Sequence, residues 1–119
     1  MDDEVDKLEA LQLALRPEGH RLLTARHGWE GLAILEREPI TVIISDQHMA
    51  RMKGAEFLRA ARERRPEVIR ILLTNFADPD AINAALYGGE IHRFMAKPWN
   101  DVDLRLTVRY AIAQHELLK

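Results

Sequence analysis

Apolar positions along this chain follow two rhythms. Val5, Leu8, Leu11 and Leu15 recur at helical spacing while Asp6, Lys7, Glu9 and Gln12 take the other side, so Val5 to Arg16 is predicted to be an amphipathic helix that Pro17-Glu18-Gly19 ends. His20 to Ala25 reads as a short strand. Gly28 to Glu38 returns to helix, with Trp29, Leu32 and Leu35 on one side, and Pro39 breaks it. Ile40, Val42, Ile43 and Ile44 form a near-continuous β-branched run, the pattern of a strand covered on both faces, and the run stops at Asp46. Past a loop holding Met49, Met52 and Gly54, Ala55 to Arg65 is a helix with Phe57, Leu58 and Ala61 facing inward. Val68 to Leu73 is a second apolar strand, ending at Thr74. Asp78 before Pro79 predicts an N-cap on a small-residue helix that Gly88-Gly89 closes. Ile91 to Met95 is another buried-type strand, followed by Lys97-Pro98. Asn100, with Asp103 at N3, caps a last helix whose inner side is Leu104, Val108, Ala111, Ile112 and His115.

Regular alternation of helix and strand predicts an α/β fold, a parallel sheet with helices on both faces. Parallel strands present their carboxyl ends at one edge, where such sheets place ligands. Asp46, Thr74 and Lys97 each follow a different strand and so converge there, joined by Asp2 and Asp3 just before the first helix. Close carboxylates raise one another's pKa unless a cation intervenes, and hard oxygen ligands suit Mg²⁺. This set fits phosphoryl transfer to a carboxylate: Asp46 attacks phosphorus, Mg²⁺ and Lys97 neutralise the equatorial oxygens, and Thr74 and Phe94 respond to the new charge. Taken singly, each residue has a plainer reading. Asp46 can cap a turn, Lys97 can be a solvated charge, Thr74 a strand-end hydroxyl, Asp2-Asp3 an acidic terminus beside a helix dipole, and Phe94 core. Their order at successive strand ends is what favours the joint reading.

Composition narrows the classes. With 119 residues, 47% hydrophobic and 30% charged, residues 1–119 are predicted to form one domain with one core. A net charge of −2 provides no basis for direct nucleic-acid or anionic-membrane binding. No run is long enough to span a membrane and the start is acidic, so a cytoplasmic location is expected. The absence of cysteine excludes disulfides and thiolate chemistry, and the five scattered histidines argue against zinc. Arg59, Arg62, Arg64 and Arg65 alternate with Glu56, Glu63 and Glu67, the mark of a solvated face.

With these residues in place, the chain resembles the receiver domain of bacterial two-component response regulators over essentially its full length. Asp2-Asp3-Glu4 is similar to the family's acidic pair, Asp46 with Met49, Met52 and Gly54 to its phosphoacceptor loop, Thr74 to its switch hydroxyl, Phe94 to its aromatic switch position, and Lys97-Pro98 to its lysine and following, often cis, proline. The resemblance implies a flavodoxin-like (βα)5 fold of strand order 2-1-3-4-5 and a phosphoprotein rather than an enzyme, catalysing at most its own phosphoryl transfer and hydrolysis. It also implies Mg²⁺ bound directly by Asp3, Asp46 and the backbone carbonyl of His48, with Asp2 acting through water. A sensor histidine kinase or phosphotransfer protein is the implied phosphodonor. The helix from Asp78 to Gly88, the strand from Ile91 to Met95 and the last helix form the implied interaction surface. Gly89 to Phe94 with Lys97-Pro98-Trp99 is similar to receivers of hydrogenase-type transcription activators and cyclic-dinucleotide phosphodiesterases.

The sequence departs from the family pattern at Ala50, where proline is usual, and at Asn75, where a small residue is usual. Only Met1 precedes the acidic pair, so the family's first strand is expected to be missing, leaving a gap of about 9–10 Å, two interstrand spacings. An upstream segment, or a strand exchanged with a second copy in a homodimer, would fill it. Residues 1–119 are expected to hold no DNA-binding or catalytic output domain, which leaves the controlled response unread. One alternative is a phosphorylation-independent interaction module of the same fold. Another is a Mg²⁺-dependent phosphohydrolase, disfavoured because no second acid lies two residues after Asp46 and little length remains for a substrate cap.

Overall fold

Three parallel strands, β1 (Val42–Asp46), β2 (Ile69–Thr74) and β3 (Arg93–Ala96), lie side by side in that order in the computed structural model, which describes residues 1–49, 51–75 and 79–117. The register sets Asp46 beside Leu73 and Thr74 beside Ala96, so the polar strand ends reach one edge together. The expectations at Ala50 and Asp78 lie outside the described residues.

Strand β2 is buried on both faces, and its side chains divide by the two-residue period of a strand. Leu72 faces a core with Leu32, Leu35, Phe57, Leu58 and Ile82, built by α2 (Gly28–Arg37), α3 (Gly54–Arg64) and α4 (Pro79–Tyr87). Leu73 faces the opposite core with Leu11, Leu15, Leu104 and Val108, built by α1 (Val5–Leu15) and α5 (Asp101–Leu117). Both layers therefore share one buried strand. Truncating a residue such as Leu58, which is fully buried, would remove about 2–5 kcal/mol. No helix among the described residues is long and apolar enough to cross a membrane.

The stop signals act as their chemistry requires. Pro17 sits in a 3₁₀ turn, Arg16–Glu18, that ends α1, and Gly19 takes the left-handed φ of 76°. Asn100 Oδ1 accepts from the N–H groups of Val102 and Asp103 at 2.8 and 3.2 Å, capping α5. Beyond α4, Arg70, buried in the middle of β2, donates to the carbonyls of Glu90, Gly89, Val68 and Pro66 at 2.8–3.2 Å. Arg62 of α3, on the exposed face the sequence predicts, adds a bond to the Gly88 carbonyl.

Three expectations are corrected. Trp29 is 60% exposed, because the inner face of α2 is set by Gly28, Leu32 and Leu35 and Trp29 lies about 100° away from Gly28 around the helix. Strand β3 begins at Arg93 rather than Ile91 and is largely exposed, because it is the edge of the sheet with a neighbour on one side only. Residues 20–25 form no strand; this segment runs past a cavity of about 470 Å³ lined by Leu8, Leu22, Leu35, Ile44, Phe57 and Val108. A strand exists through its ladder, and the cavity separates residues 20–25 from β1.

Only the site end of that cavity is bridged by the backbone among the described residues. The Met1 amino group donates to the Ile44 carbonyl, Asp46 N–H donates to the Met1 carbonyl at 2.8 Å, and Asp2 N–H donates to the Ala25 carbonyl at 3.2 Å. On β1, Thr41 and Gln47 bond toward β2, so by alternation the peptide groups of Val42 and the N–H of Ile44 face the cavity. The gap expected from the sequence is thus a formed slot with a ladder-ready edge on β1.

Candidate functional site

The carboxyl ends of the strands carry the site. Strand β1 ends on Asp46, 3% exposed, because Ser45 and Asp46 are the residues at which the apolar run meets the polar edge. The loop that follows is shaped by backbone contacts. Gly54 N–H donates to the Gln47 carbonyl at 3.0 Å, and Gln47 Oε1 accepts from Ala55 N–H at 2.8 Å. A Cβ on Gly54 would lie 2.2 Å from the Asp46 carbonyl oxygen, so only glycine permits this approach. Met49 is buried in the core and Met52 lies against Gly28, which pins the loop at two points.

Lys97 reaches back from the end of β3, its ammonium donating to Asp46 Oδ1. Its own N–H donates to the Thr74 carbonyl at 2.9 Å, so lysine and threonine are registered through the backbone. The Lys97-Pro98 peptide is cis. Thr74 is buried at the end of β2, between Asp46 and Lys97 in strand order. Phe94 is 38% exposed on β3, so it is not plain core. The structure therefore brings Asp46 and Lys97 into contact and places Thr74 on the same edge.

The acidic pair divides. Asp2 is buried, and its Oδ1 accepts from Glu4 N–H at 2.9 Å. Its Oδ2 is buried with no hydrogen-bond partner among the described residues. Burial pushes the Asp2 carboxyl above the usual 3.8, and the neighbouring Asp46 pushes the same way, against the Glu4 N–H and Lys97. Asp3 is half-buried and faces a second cleft with Arg26, His27, Glu30 and Arg51. His48 is exposed in the loop after Asp46.

No group of three or more His, Asp or Glu side chains among the described residues gathers tightly enough to hold a metal by itself. Mg²⁺ needs only one or two carboxylates, completed by carbonyl oxygen and water. An orphaned, buried carboxylate oxygen beside a second carboxylate is the donor chemistry that such an ion satisfies, so the residues present fit it.

Sequence reading missed Arg26, Arg51 and Gln47. Arg51 adopts φ 70°, a left-handed conformation that nothing in its residue type announces. Gln47 as a loop brace was legible only from the glycine at Gly54, which shows that the backbone closes tightly there.

Similarity to known proteins identifies the fold. A sequence model described as "Response regulator receiver domain" matches residues 1–109. The hydrogenase transcriptional regulatory protein HoxA of Cupriavidus necator is 38% identical over 112 residues, 94% of this chain and 23% of the relative. The signal receiver domain of an HD domain-containing protein from Pseudomonas fluorescens Pf-5 superposes with a TM-score of 0.91 at 33% identity, over 97% of this chain and 92% of that one. A response regulator receiver domain protein from Clostridium thermocellum gives 0.92 at 31% identity, over 99% and 94%. The chain spans about a quarter of the length of the curated relatives HoxA and GlrR.

Proposed function

We propose, since the chain belongs to the response regulator receiver domain family, that residues 1–119 form one receiver unit in which Asp46 accepts a phosphoryl group from a histidine kinase or phosphotransfer protein. The observation that carries this reading is the buried contact between Asp46 and Lys97, beside an Asp2 oxygen without a partner. An acid that merely capped a turn would not be sealed from water against a lysine on the far strand.

Asp2, Asp3, Asp46 and the His48 carbonyl are the groups that would hold Mg²⁺. When bound, the ion supplies positive charge to phosphoryl oxygens. An Asp46 carboxylate oxygen forms the bond to phosphorus as the bond from phosphorus to the donor's imidazole nitrogen breaks. The nitrogen leaves with that electron pair and is protonated by solvent. Lys97, already directed at Asp46, stabilises the charge on the equatorial oxygens. The phosphoryl group then carries about −1.5 to −2 charges where the carboxylate carried one. Thr74 answers with a hydroxyl, and Phe94 on the exposed edge strand carries the change to the surface of α4, β3 and α5, where an output domain or partner, or a second copy, reads it. The chain turns over no separate substrate.

Borohydride reduction tests the assignment, since it converts an aspartyl phosphate to homoserine. After treatment with acetyl phosphate and Mg²⁺, homoserine at position 46 supports the reading. Homoserine at another acid, or none, contradicts it.

A further inference from the structure

We infer that Arg26 and Arg51 form an anion-recruiting pair that seats the phosphodonor's phosphoryl group at the mouth of the Asp46 site, an inference that rests on the phosphoacceptor reading above. The two arginines line one cleft of about 290 Å³ together with Asp3, His27 and Glu30. Each is tied by backbone to the acidic centre. Arg26 follows Ala25, whose carbonyl accepts from Asp2 N–H at 3.2 Å. Arg51 lies five residues after Asp46 in the same loop.

Charge bookkeeping within the cleft leaves these guanidiniums available. Glu30 N–H donates to His27 Nδ1 at 3.2 Å, and His27 Nε2 lies 3.8 Å from the Glu30 carboxylate. Asp3 is assigned to the metal. Among the described residues neither Arg26 nor Arg51 makes a salt bridge or side-chain hydrogen bond, whereas Arg21, Arg64 and Arg109 are each paired with a glutamate. Arg51 also holds a left-handed φ of 70°, a conformation that is costly for a residue with a Cβ, and strain of this kind concentrates at functional loops.

The chemistry requires such a pair. The acceptor centre presents Asp2, Asp3 and Asp46, and the incoming group is itself an anion. A planar guanidinium offers paired N–H donors matched to phosphate oxygens, and two at the rim offset part of the negative charge an approaching donor meets. The occupant of the cleft is therefore the anionic phosphoryl group of an acyl phosphate or phosphoramidate, on its way to Asp46.

Two measurements on the full chain test this. In the first, acetyl phosphate is varied at saturating Mg²⁺ and the rate of adduct formation is followed for the parent, Arg26→Gln, Arg51→Gln, the double variant, the two lysine variants and an Arg37→Gln control at the far end of α2. The double variant is expected to lose about ten-fold in second-order rate, chiefly through half-saturation, with a weaker salt dependence and unchanged Mg²⁺ affinity. The lysine variants recover part of the loss and the control stays at the parental rate. In the second, inorganic phosphate is titrated while the arginine side-chain NMR signals are watched, and those of Arg26 and Arg51 are expected to shift. Parental rates and salt dependence in the double variant, or unshifted signals, overturn the inference. A parent that forms no adduct while phosphate still shifts both signals removes the phosphoacceptor reading and leaves the anion site standing.

Discussion

Lys97 and Asp46, 51 positions apart in sequence, meet as a buried ion pair, their side chains 14% and 4% exposed. The contact joins the two strands that flank β2 and places a cation on the carboxylate proposed to take the phosphoryl group. In the proposed mechanism the lysine therefore has two opposing effects, occupying Asp46 at rest and stabilising the transferred charge.

Replacing Lys97 with Met separates those effects. Phosphoryl uptake is expected to fall by about a hundred-fold, the size of loss typical for a charge-stabilising donor. Mg²⁺ affinity is expected to hold or rise, because the ammonium no longer competes for Asp46. Titration calorimetry beside the uptake assay checks both signs; a parallel loss of metal binding would show that Lys97 shapes the site rather than the chemistry.

Asp2 gives a pH signature. Its carboxyl is held above the usual 3.8, chiefly by burial, so its contribution to stability is present below 3.8 and is lost as pH rises through the raised value. Once ionised, the buried carboxylate opposes folding, and Asp2→Asn is expected to stabilise the metal-free protein at pH above the raised titration. The same change is expected to weaken Mg²⁺ about ten-fold, and parental Mg²⁺ affinity falls as the pH drops through the Asp2 titration. Urea melts with and without Mg²⁺ read both effects; destabilisation of the metal-free form would contradict them.

His92 predicts an acid limb at the other end of the sheet. Its Nδ1 accepts from Arg70 N–H at 2.9 Å, which requires neutral imidazole. Burial, then Arg70, Arg62 and Arg93, hold its pKa below the usual 6.5. Stability is thus complete above 6.5 and declines as pH falls through the lowered value. His92→Gln is expected to flatten that decline by about 1 kcal/mol in acid melts. Equal slopes in the two proteins would assign the acid limb to other groups.

The slot beside β1 predicts a gain. Placing five extended apolar residues before Met1 continues the pairing that Met1 already makes with Ile44 and Asp46. Their burial in the 470 Å³ cavity is expected to raise the melting temperature by about 5 °C or more and to slow amide exchange at Ile44. An unchanged Ile44 exchange rate would mean that the segment does not enter the slot.

How far the sequence carried these conclusions depends on whether local pattern or long-range closure decided the outcome. Asp46, Thr74 and Lys97 were legible because each ends a strand, and parallel strands must share an edge. Asn100 and Pro17 were legible because caps and breakers act locally. The strand at His20 to Ala25 was misread because its apolar residues are real but its ladder partner is not present among the described residues. Trp29 was misread because a helical stripe can be drawn through position 29 as readily as through 28, and packing against Met52 decides between them. Arg26 and Arg51 were invisible because the cleft they line is assembled from two loops and the residues just before α1.

The central claim is that Asp46 is a metal-dependent phosphoacceptor. Intact mass spectrometry of the folded parent and of Asp46→Asn, each incubated with acetyl phosphate in the presence and absence of Mg²⁺, tests it most directly. One added phosphoryl group on the parent only with Mg²⁺, and none on the variant, is the predicted result. An adduct that persists in Asp46→Asn, or a folded parent that never gains one, would contradict the account.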